Sequence, residues 1–240
     1  MQGVVFLGDR KIEFMEFPDP EPGPDEVVLE IKASGMCGSD LKFYRVVGGA
    51  AALGLGGDGS PVIAGHEPCG VVAEIGSAVD AGQVRIGDRV MVHHYKGCGH
   101  CSHCEDGWGQ LCREGVVVYG ATGHGAHARY MKAPASTLVP LPDALSFAAG
   151  AAISCGTGTA YGALGRLGLS AGDTIAVFGQ GPVGLSATQL AAAMGARVIA
   201  LDVSAERLAR ADAFGADTLI DPSQDDPVKR IRELTGGPGA

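Results

Sequence analysis

The 240-residue sequence has no basic surplus: 18 lysines and arginines stand against 27 aspartates and glutamates, a net charge of −9. That deficit argues against nucleic acid or an anionic membrane as the main partner, because both need a basic face. No run approaches the roughly 18 uninterrupted apolar residues of a membrane span. The opening MQGVVFLGDRKIEF carries charges at Asp9, Arg10 and Lys11, and no basic segment leads an apolar run. It therefore does not read as a secretory signal, and the cytoplasm is the expected address. Charged residues are few at 19%, against 46% apolar, the balance of a soluble globular chain with length for two modest cores. No internal repeat is visible. Glycine, by contrast, is abundant at 39 residues, which forecasts tight turns and close backbone approaches.

Residues 1 to about 150 read as β-rich. VVLEIKASGMC (27–37), CGVVAEIG (69–76) and DRVMVHHY (88–95) are short β-branched or alternating runs divided by Gly, Pro and Asp turns, a pattern for a compact barrel-like β domain. The Gly/Ala segment at 48–60 reads as a loop that covers something rather than core. Near Asp173 the pattern changes. TIAVFG (174–179) reads as a buried strand, then a glycine-rich turn, then a helix over 182–195 with Val183, Ala187, Leu190 and Met194 on one face. Strand 197–202, helix 204–215, strand 217–221 and helix 227–237 follow, and this alternation predicts a parallel doubly wound sheet. A dinucleotide fold has two such halves. On that count this sequence represents the first, and about a hundred further residues are expected in a complete one.

Of seven cysteines, Cys98, Cys101, Cys104 and Cys112 fall within fifteen residues. In a cytosolic chain, such crowding points to metal rather than disulfides. Four thiolates in one short loop satisfy tetrahedral zinc at low closure entropy and leave no position for water, so that zinc would be structural. Four free cysteines or an iron–sulfur cluster are the competing readings, although the spacing matches no ferredoxin pattern. Cys37, His66 and Cys155 come from three separate segments. Two thiols and an imidazole suit a catalytic zinc with one open position, but these residues alone do not establish a site.

Five motifs in order decide the matter: CGSD (37–40), GHE (65–67), the four-cysteine loop, CGTGTAYGAL (155–164) and GQGPVG (179–184). With them the sequence resembles the zinc-containing medium-chain alcohol dehydrogenases over essentially its whole length. The resemblance implies an α/β chain: a GroES-like β-barrel-type domain over 1–152 with two zinc sites, then the first half of an NAD-binding Rossmann domain over 153–240. It implies that Cys37, His66 and Cys155 are catalytic zinc ligands, that Glu67 is a carboxylate able to approach the metal, and that Ser39 takes the substrate proton. Cys155 favours the alcohol branch, since polyol-dehydrogenase relatives often carry Glu at the third ligand position. Where many relatives have a relay His three residues after Ser39, this sequence has Lys42, which either contacts cofactor or is solvated. Cys69 matches no motif and reads as a buried thiol. The implied reaction is zinc-assisted hydride transfer between an alcohol or polyol and NAD, in a full-length homodimer or homotetramer.

Gly179-x-Gly181-x-x-Gly184 follows a strand and opens a helix, and Asp202 ends the next strand 18 residues after Gly184. In that context Gly179 permits the tight turn, Gly181 admits the pyrophosphate, and Gly184 permits close helix packing, with Pro182 and Val183 in the same cofactor-facing turn. Asp202 can accept the ribose hydroxyls and repels a 2′-phosphate, which favours NAD; its bland alternative is a helix cap. By resemblance Arg207 is a basic residue compatible with NAD, and Thr159 packs near the nicotinamide. His94 falls at a substrate-cleft position by resemblance, although His93 and His94 read equally as surface groups. Trp108 reads as packing, and His100 and His103 as solvated. A zinc-free reductase is opposed by the three dispersed ligands, and a zinc-binding interaction module by the acidic charge and the dinucleotide fingerprint. The substrate itself is not legible.

Overall fold

The computed structural model describes residues 1–55, 59–80 and 82–240. The chain packs as two units, Met1–Cys155 and Gly156–Ala240.

In the first unit, β1 (Gln2–Gly8) and β2 (Lys11–Glu16) form an antiparallel hairpin. Next come β3 (Glu26–Gly35), α1 (Gly38–Arg45), β4 (Glu67–Ile75), β5 (Arg89–Val92), β6 (Tyr95–Lys96) and the short α2 (Ser102–Glu105). β7 (Val117–Val118), β8 (Tyr130–Pro134), β9 (Leu138–Pro140) and α3 (Phe147–Ala152) complete it. A five-stranded antiparallel sheet in the order β8-β3-β4-β5-β9 forms the body of the unit, and β6 pairs with β7 at the base of the cysteine loop. The β-branched runs of the sequence become these strands because their inward residues, Val27, Leu29, Val72, Val90, Val92 and Met131, close one core. The strand ends differ from the sequence reading in a way that matters. β3 stops at Gly35, which frees Cys37 to stand at the N-cap of α1. β4 begins at Glu67, inside the GHE triplet. β5 stops at Val92, so His93 and His94 leave the sheet before Tyr95 enters β6. Of the 48–60 segment expected as a covering loop, Gly49–Leu53 is a 3-10 turn, and residues 56–58 lie outside the described residues.

In the second unit, α4 (Gly158–Leu167), β10 (Thr174–Phe178), α5 (Pro182–Ala193), β11 (Arg197–Leu201), α6 (Ala205–Ala213), β12 (Thr218–Ile220) and α7 (Pro227–Leu234) alternate. The three strands pair in parallel in the order β10-β11-β12. The middle strand is buried from Val198 to Leu201, as a parallel strand covered on both faces must be, and each large side chain there contributes about 1.5–3 kcal/mol. Ser204 caps α6 and Asp226 caps α7 through side-chain oxygens that accept N2 or N3 amide hydrogens. Of the four residues expected on one helical face, Ala187, Leu190 and Met194 pack against the core of the unit beside the buried Thr188 and Ala191, and Val183 departs at 42% exposed. At the start of the helix Gly184 lies so close to the Gly179 carbonyl oxygen that a Cβ would strike it, and its neighbour Val183 is turned outward.

Candidate functional site

Three segments of the first unit converge on one cluster. Cys37 is the N-cap of α1, His66 and Glu67 open β4, and Cys155 sits in a π-helical turn at Ile153–Thr157. One ligand atom from each of these four residues lies within 4.8 Å of the others. Single π-helical turns are rare and tend to mark sites where a side chain is re-aimed.

The convergence depends on Asp40, which the sequence reading left without a role. Asp40 is 0% exposed at the third position of α1. Its Oδ2 accepts the Cys37 amide hydrogen at 2.8 Å, and its Oδ1 lies 3.0 Å from His66 Nδ1. One carboxylate thus fixes two donors and turns His66 Nε2 towards the thiols. The signal was present in CGSD: an acid three residues into a helix that starts at a ligand satisfies the helix and the imidazole together. Burial disfavours charge on His66, yet the hydrogen bond its Nδ1 donates to Asp40, with the neighbouring Cys155 and Cys37 thiols, outweighs it and pushes its pKa up to about 11. The carboxylate and thiols around His66 thus make a locally negative pocket, in which a cation held by Nε2 and the two sulfurs would take the place of the ring proton. Burial also opposes the Cys37 thiolate, but the Ser39 amide and His66 bring its pKa below the usual thiol value. Burial raises the pKa of Cys155 and of Glu67. The donor set, two sulfurs and a nitrogen with a carboxylate alongside, fits zinc.

Ser39 is exposed in the first turn of α1, and Lys42 is exposed one turn on. His94 is 6% exposed, and its ring centroid is 5.1 Å from that of His66. It belongs to the buried neighbourhood of the cluster, whereas His93 is exposed. Cys69, 0% exposed among Met91, Leu141 and Ala151, is a packed thiol whose pKa burial drives up to about 11.

The second cluster is local. The Sγ atoms of Cys98 and Cys104 are 3.9 Å apart, as are those of Cys101 and Cys112. Four thiolates at about 2.3 Å from zinc define a tetrahedron with edges of roughly 3.8 Å, so the loop fits a fully sulfur-ligated ion. The Cys98 amide donates to Cys112 Sγ at 3.2 Å and the Cys101 amide to Cys98 Sγ at 3.3 Å, bonds that favour thiolates. His100 is exposed, 3.5 Å from Glu114. His103 departs from the expectation of a solvated ring: Nδ1 is sealed from solvent without a partner among the described residues. Trp108 is half-buried in the same loop.

In the second unit, the Gly179–Gly184 turn leaves β10 and opens α5. Gly179 adopts φ +85, which favours glycine, Gly181 is the helix N-cap with open space where a side chain would project, and Pro182 occupies the first turn. Gln180, unremarked in the sequence, is 0% exposed and anchors the turn. Its amide hydrogen goes to Asp202 Oδ2 at 2.7 Å, its Nε2 to the Val177 carbonyl at 2.9 Å, and its Oε1 accepts from Thr188 at 2.9 Å. Asp202 Oδ1 accepts the Ser204 amide at 2.9 Å, and Arg207 Nη1 lies 3.6 Å from Oδ2. These amides, with Arg207 as a lesser influence, hold the Asp202 carboxyl below its ordinary value, so it is a fixed negative charge beside the turn. The cap of α6 is Ser204, not Asp202. Thr159 and Arg207 are exposed.

Comparison with known proteins agrees with both halves. Residues 23–143 match the model of the alcohol dehydrogenase GroES-like domain, and residues 182–240 match that of the zinc-binding dehydrogenase. A zinc-type alcohol dehydrogenase-like protein of Escherichia coli (strain K12) is 41% identical over 221 residues, covering 90% of this chain and 61% of the relative. An alcohol dehydrogenase of Geobacillus stearothermophilus is 36% identical over 240 residues, covering 98% of this chain and 67% of its own length. The crystal structure of an NAD-dependent alcohol dehydrogenase superposes with a TM-score of 0.87 at 34% identity, over 100% of this chain and 69% of that one. The chain thus spans about two thirds of the length of the proteins it matches, and through that whole span it belongs to the zinc-type alcohol dehydrogenase family.

Proposed function

We propose that this chain acts in a zinc-dependent dehydrogenase that moves a hydride between an alcohol or polyol and NAD. The observation that carries the reading is the convergence of Cys37, His66, Glu67 and Cys155 on one point, with Asp40 holding His66 from behind. When bound, zinc supplies the Lewis acidity that makes an alcohol hydroxyl acidic, and NAD supplies the two-electron acceptor. The balance is an alcohol and NAD⁺ giving a carbonyl, NADH and one proton: the carbinol C–H leaves as hydride and the O–H as a proton.

Within that balance, Cys37, His66 and Cys155 hold the metal and leave one position for substrate oxygen, with Glu67 beside it as an exchangeable carboxylate. Ser39, exposed beside Cys37, takes the hydroxyl proton. Lys42, one turn along α1 where many relatives have a relay His, meets cofactor instead. Cys98, Cys101, Cys104 and Cys112 hold a second, structural zinc. Gly179, Gly181, Pro182, Val183 and Gly184 cradle the pyrophosphate at the N-terminus of α5. Asp202, already ionised and fixed, keeps lone pairs for ribose hydroxyls and repels a 2′-phosphate, which favours NAD over NADP. Arg207 lines the adenosine side and Thr159 the nicotinamide side. Residues 1–152 form the catalytic domain and 153–240 the nucleotide-binding part; Cys155 itself packs within the first unit. Seven free cysteines suit a reducing cytoplasm, and an oligomer is the proposed assembly. Among the described residues, no helix is long and apolar enough to cross a membrane.

The test is NADH formation with an alcohol panel on protein carrying two zincs, and its loss in Cys155→Ala. A doubly metallated, NAD-binding protein that oxidises no alcohol would overturn the reading.

A further inference from the structure

The cysteine loop carries a donor pair that its four-sulfur site does not use. Gly99 takes φ +85, and beyond that turn His100 comes back beside Cys98. One ligand atom each from Cys98, His100 and Glu114 lies within 4.8 Å of the other two. His100 Nε2 stands 3.5 Å from Glu114 Oε2, and the two side chains are 68% and 55% exposed. A nitrogen and an oxygen bound to one tetrahedral zinc at about 2.0–2.1 Å stand roughly 3.4 Å apart, so the pair is already at ligand spacing. Left to itself, an exposed His–Glu contact is a weak surface pair. Here the third member is Cys98, whose Sγ also stands 3.9 Å from Cys104 Sγ and accepts the Cys101 amide hydrogen at 3.3 Å. One thiol therefore belongs to two donor sets, one open to solvent and one closed within the loop.

We propose that Cys98, His100 and Glu114 form a landing site through which a divalent metal ion enters and leaves the four-cysteine loop. The ion is held first by the exposed imidazole and carboxylate, with Cys98 as the shared ligand. It then exchanges His100 and Glu114 for Cys101, Cys104 and Cys112 while Cys98 stays bound, so it is never free between the two positions. The inward direction is downhill for zinc or cadmium, since four thiolates hold either ion more firmly than one thiolate with a nitrogen and an oxygen. A closed four-sulfur site needs such a step, because it offers no open position to an incoming or departing ion. This rests on the loop's holding metal and not on the dehydrogenase reaction.

The experiment exchanges cadmium, supplied as the free ion, into the zinc-loaded full chain. Loop cadmium is read by its four-sulfur cadmium-113 resonance, which is separate from that of a mixed sulfur–nitrogen site. In the natural chain the exchange rate saturates with cadmium concentration, the signature of prior binding at a landing site. His100→Ala and Glu114→Gln each slow exchange by about tenfold and make the rate linear in cadmium, because a tethered donor is lost. Glu114→Asp keeps the carboxylate and most of the rate. Glu105→Gln, at an exposed position in α2, removes a charge but no landing donor and leaves the rate alone. An equal slowing in Glu105→Gln would reduce the effect to charge attraction and overturn the proposal. Partition of cadmium between the loop and a chelator at equilibrium is the same in every variant. If it fell in step with the rate, the pair would stabilise the filled loop rather than load it, and the proposal would be overturned. A linear rate in the natural chain, or unchanged rates in both donor variants, overturns it as well. Should no protein show the four-sulfur resonance, the structural-zinc reading fails and takes this one with it, while alcohol oxidation tests the dehydrogenase reading separately.

Discussion

The two metal clusters are built in opposite ways. The loop cluster takes four cysteines from one stretch of fifteen residues, and its ligands are neighbours before the domain folds. The other takes Cys37, His66, Glu67 and Cys155 from three segments, and they meet only when β3, β4 and the π-helical turn are in place. Short spacing makes closure entropically cheap, so the loop can use metal to fold. Long spacing makes the reverse true: the fold must preorganise the ligands, and a buried carboxylate, Asp40, does part of that work. The first arrangement trades metal for local order, whereas the second spends the fold's order on metal geometry and an open position.

The sharpest way to break the comparison is to remove one sulfur from each cluster. Cys155→Ala should take one zinc and lower turnover by at least about 10³-fold, since the Lewis acid is lost, while the melting temperature barely moves. Cys104→Ala should also take one zinc but act chiefly on stability, with a loss of roughly 2–5 kcal/mol read by thermal or urea unfolding. If the two substitutions gave the same profile, the division into catalytic and structural sites would be wrong.

Asp40→Asn sharpens the contrast. It should weaken metal at the dispersed site by about 10–100-fold in competition with a chelator, with no change at the cysteine loop. Equal weakening of both sites would mean that Asp40 supports the domain generally and not His66.

In the second unit the same principle, a fold that preorganises a binding surface, rests on the glycine turn. Gly184→Ala would press a methyl against the Gly179 carbonyl, and should cost roughly 1–3 kcal/mol and weaken NAD in a calorimetric titration. Asp202→Ala should weaken NAD by about tenfold and relieve exclusion of NADP, since it removes a fixed charge and frees the Gln180 amide. An unchanged NAD-to-NADP ratio would contradict the role given to that carboxylate.

The smallest effect separates used from unused cysteines. After chelation, iodoacetamide should label Cys37, whose thiol pKa is lowered, well before Cys69, which is buried with a pKa near about 11. Peptide mapping that found Cys69 labelled first would reverse that assignment.

Much of this was legible in the sequence, for reasons that differ by region. The cysteine loop was plain because its ligands are contiguous. The alternation of strand and helix after Asp173 was plain because parallel strands such as Val198–Leu201 are continuous apolar runs. The dispersed ligands could be tied together only by resemblance, since nothing local to Cys37 or Cys155 says that they meet. Asp40 was missed because one acid in a first helical turn looks like an ordinary cap. Gln180 was missed because its burial follows from contacts to Thr188 and Asp202 that no spacing rule anticipates. The periodicity of α5 held at Ala187, Leu190 and Met194 and failed only at Val183, in the first turn beside the tightly packed Gly184.

The measurement that bears most directly on the two-cluster account is zinc per chain, by elemental analysis of protein purified without added metal. The account predicts two zincs in the natural chain and one in Cys155→Ala, with the remaining ion still held by the cysteine loop. A single zinc in the natural chain, unaffected by Cys155→Ala, would contradict it.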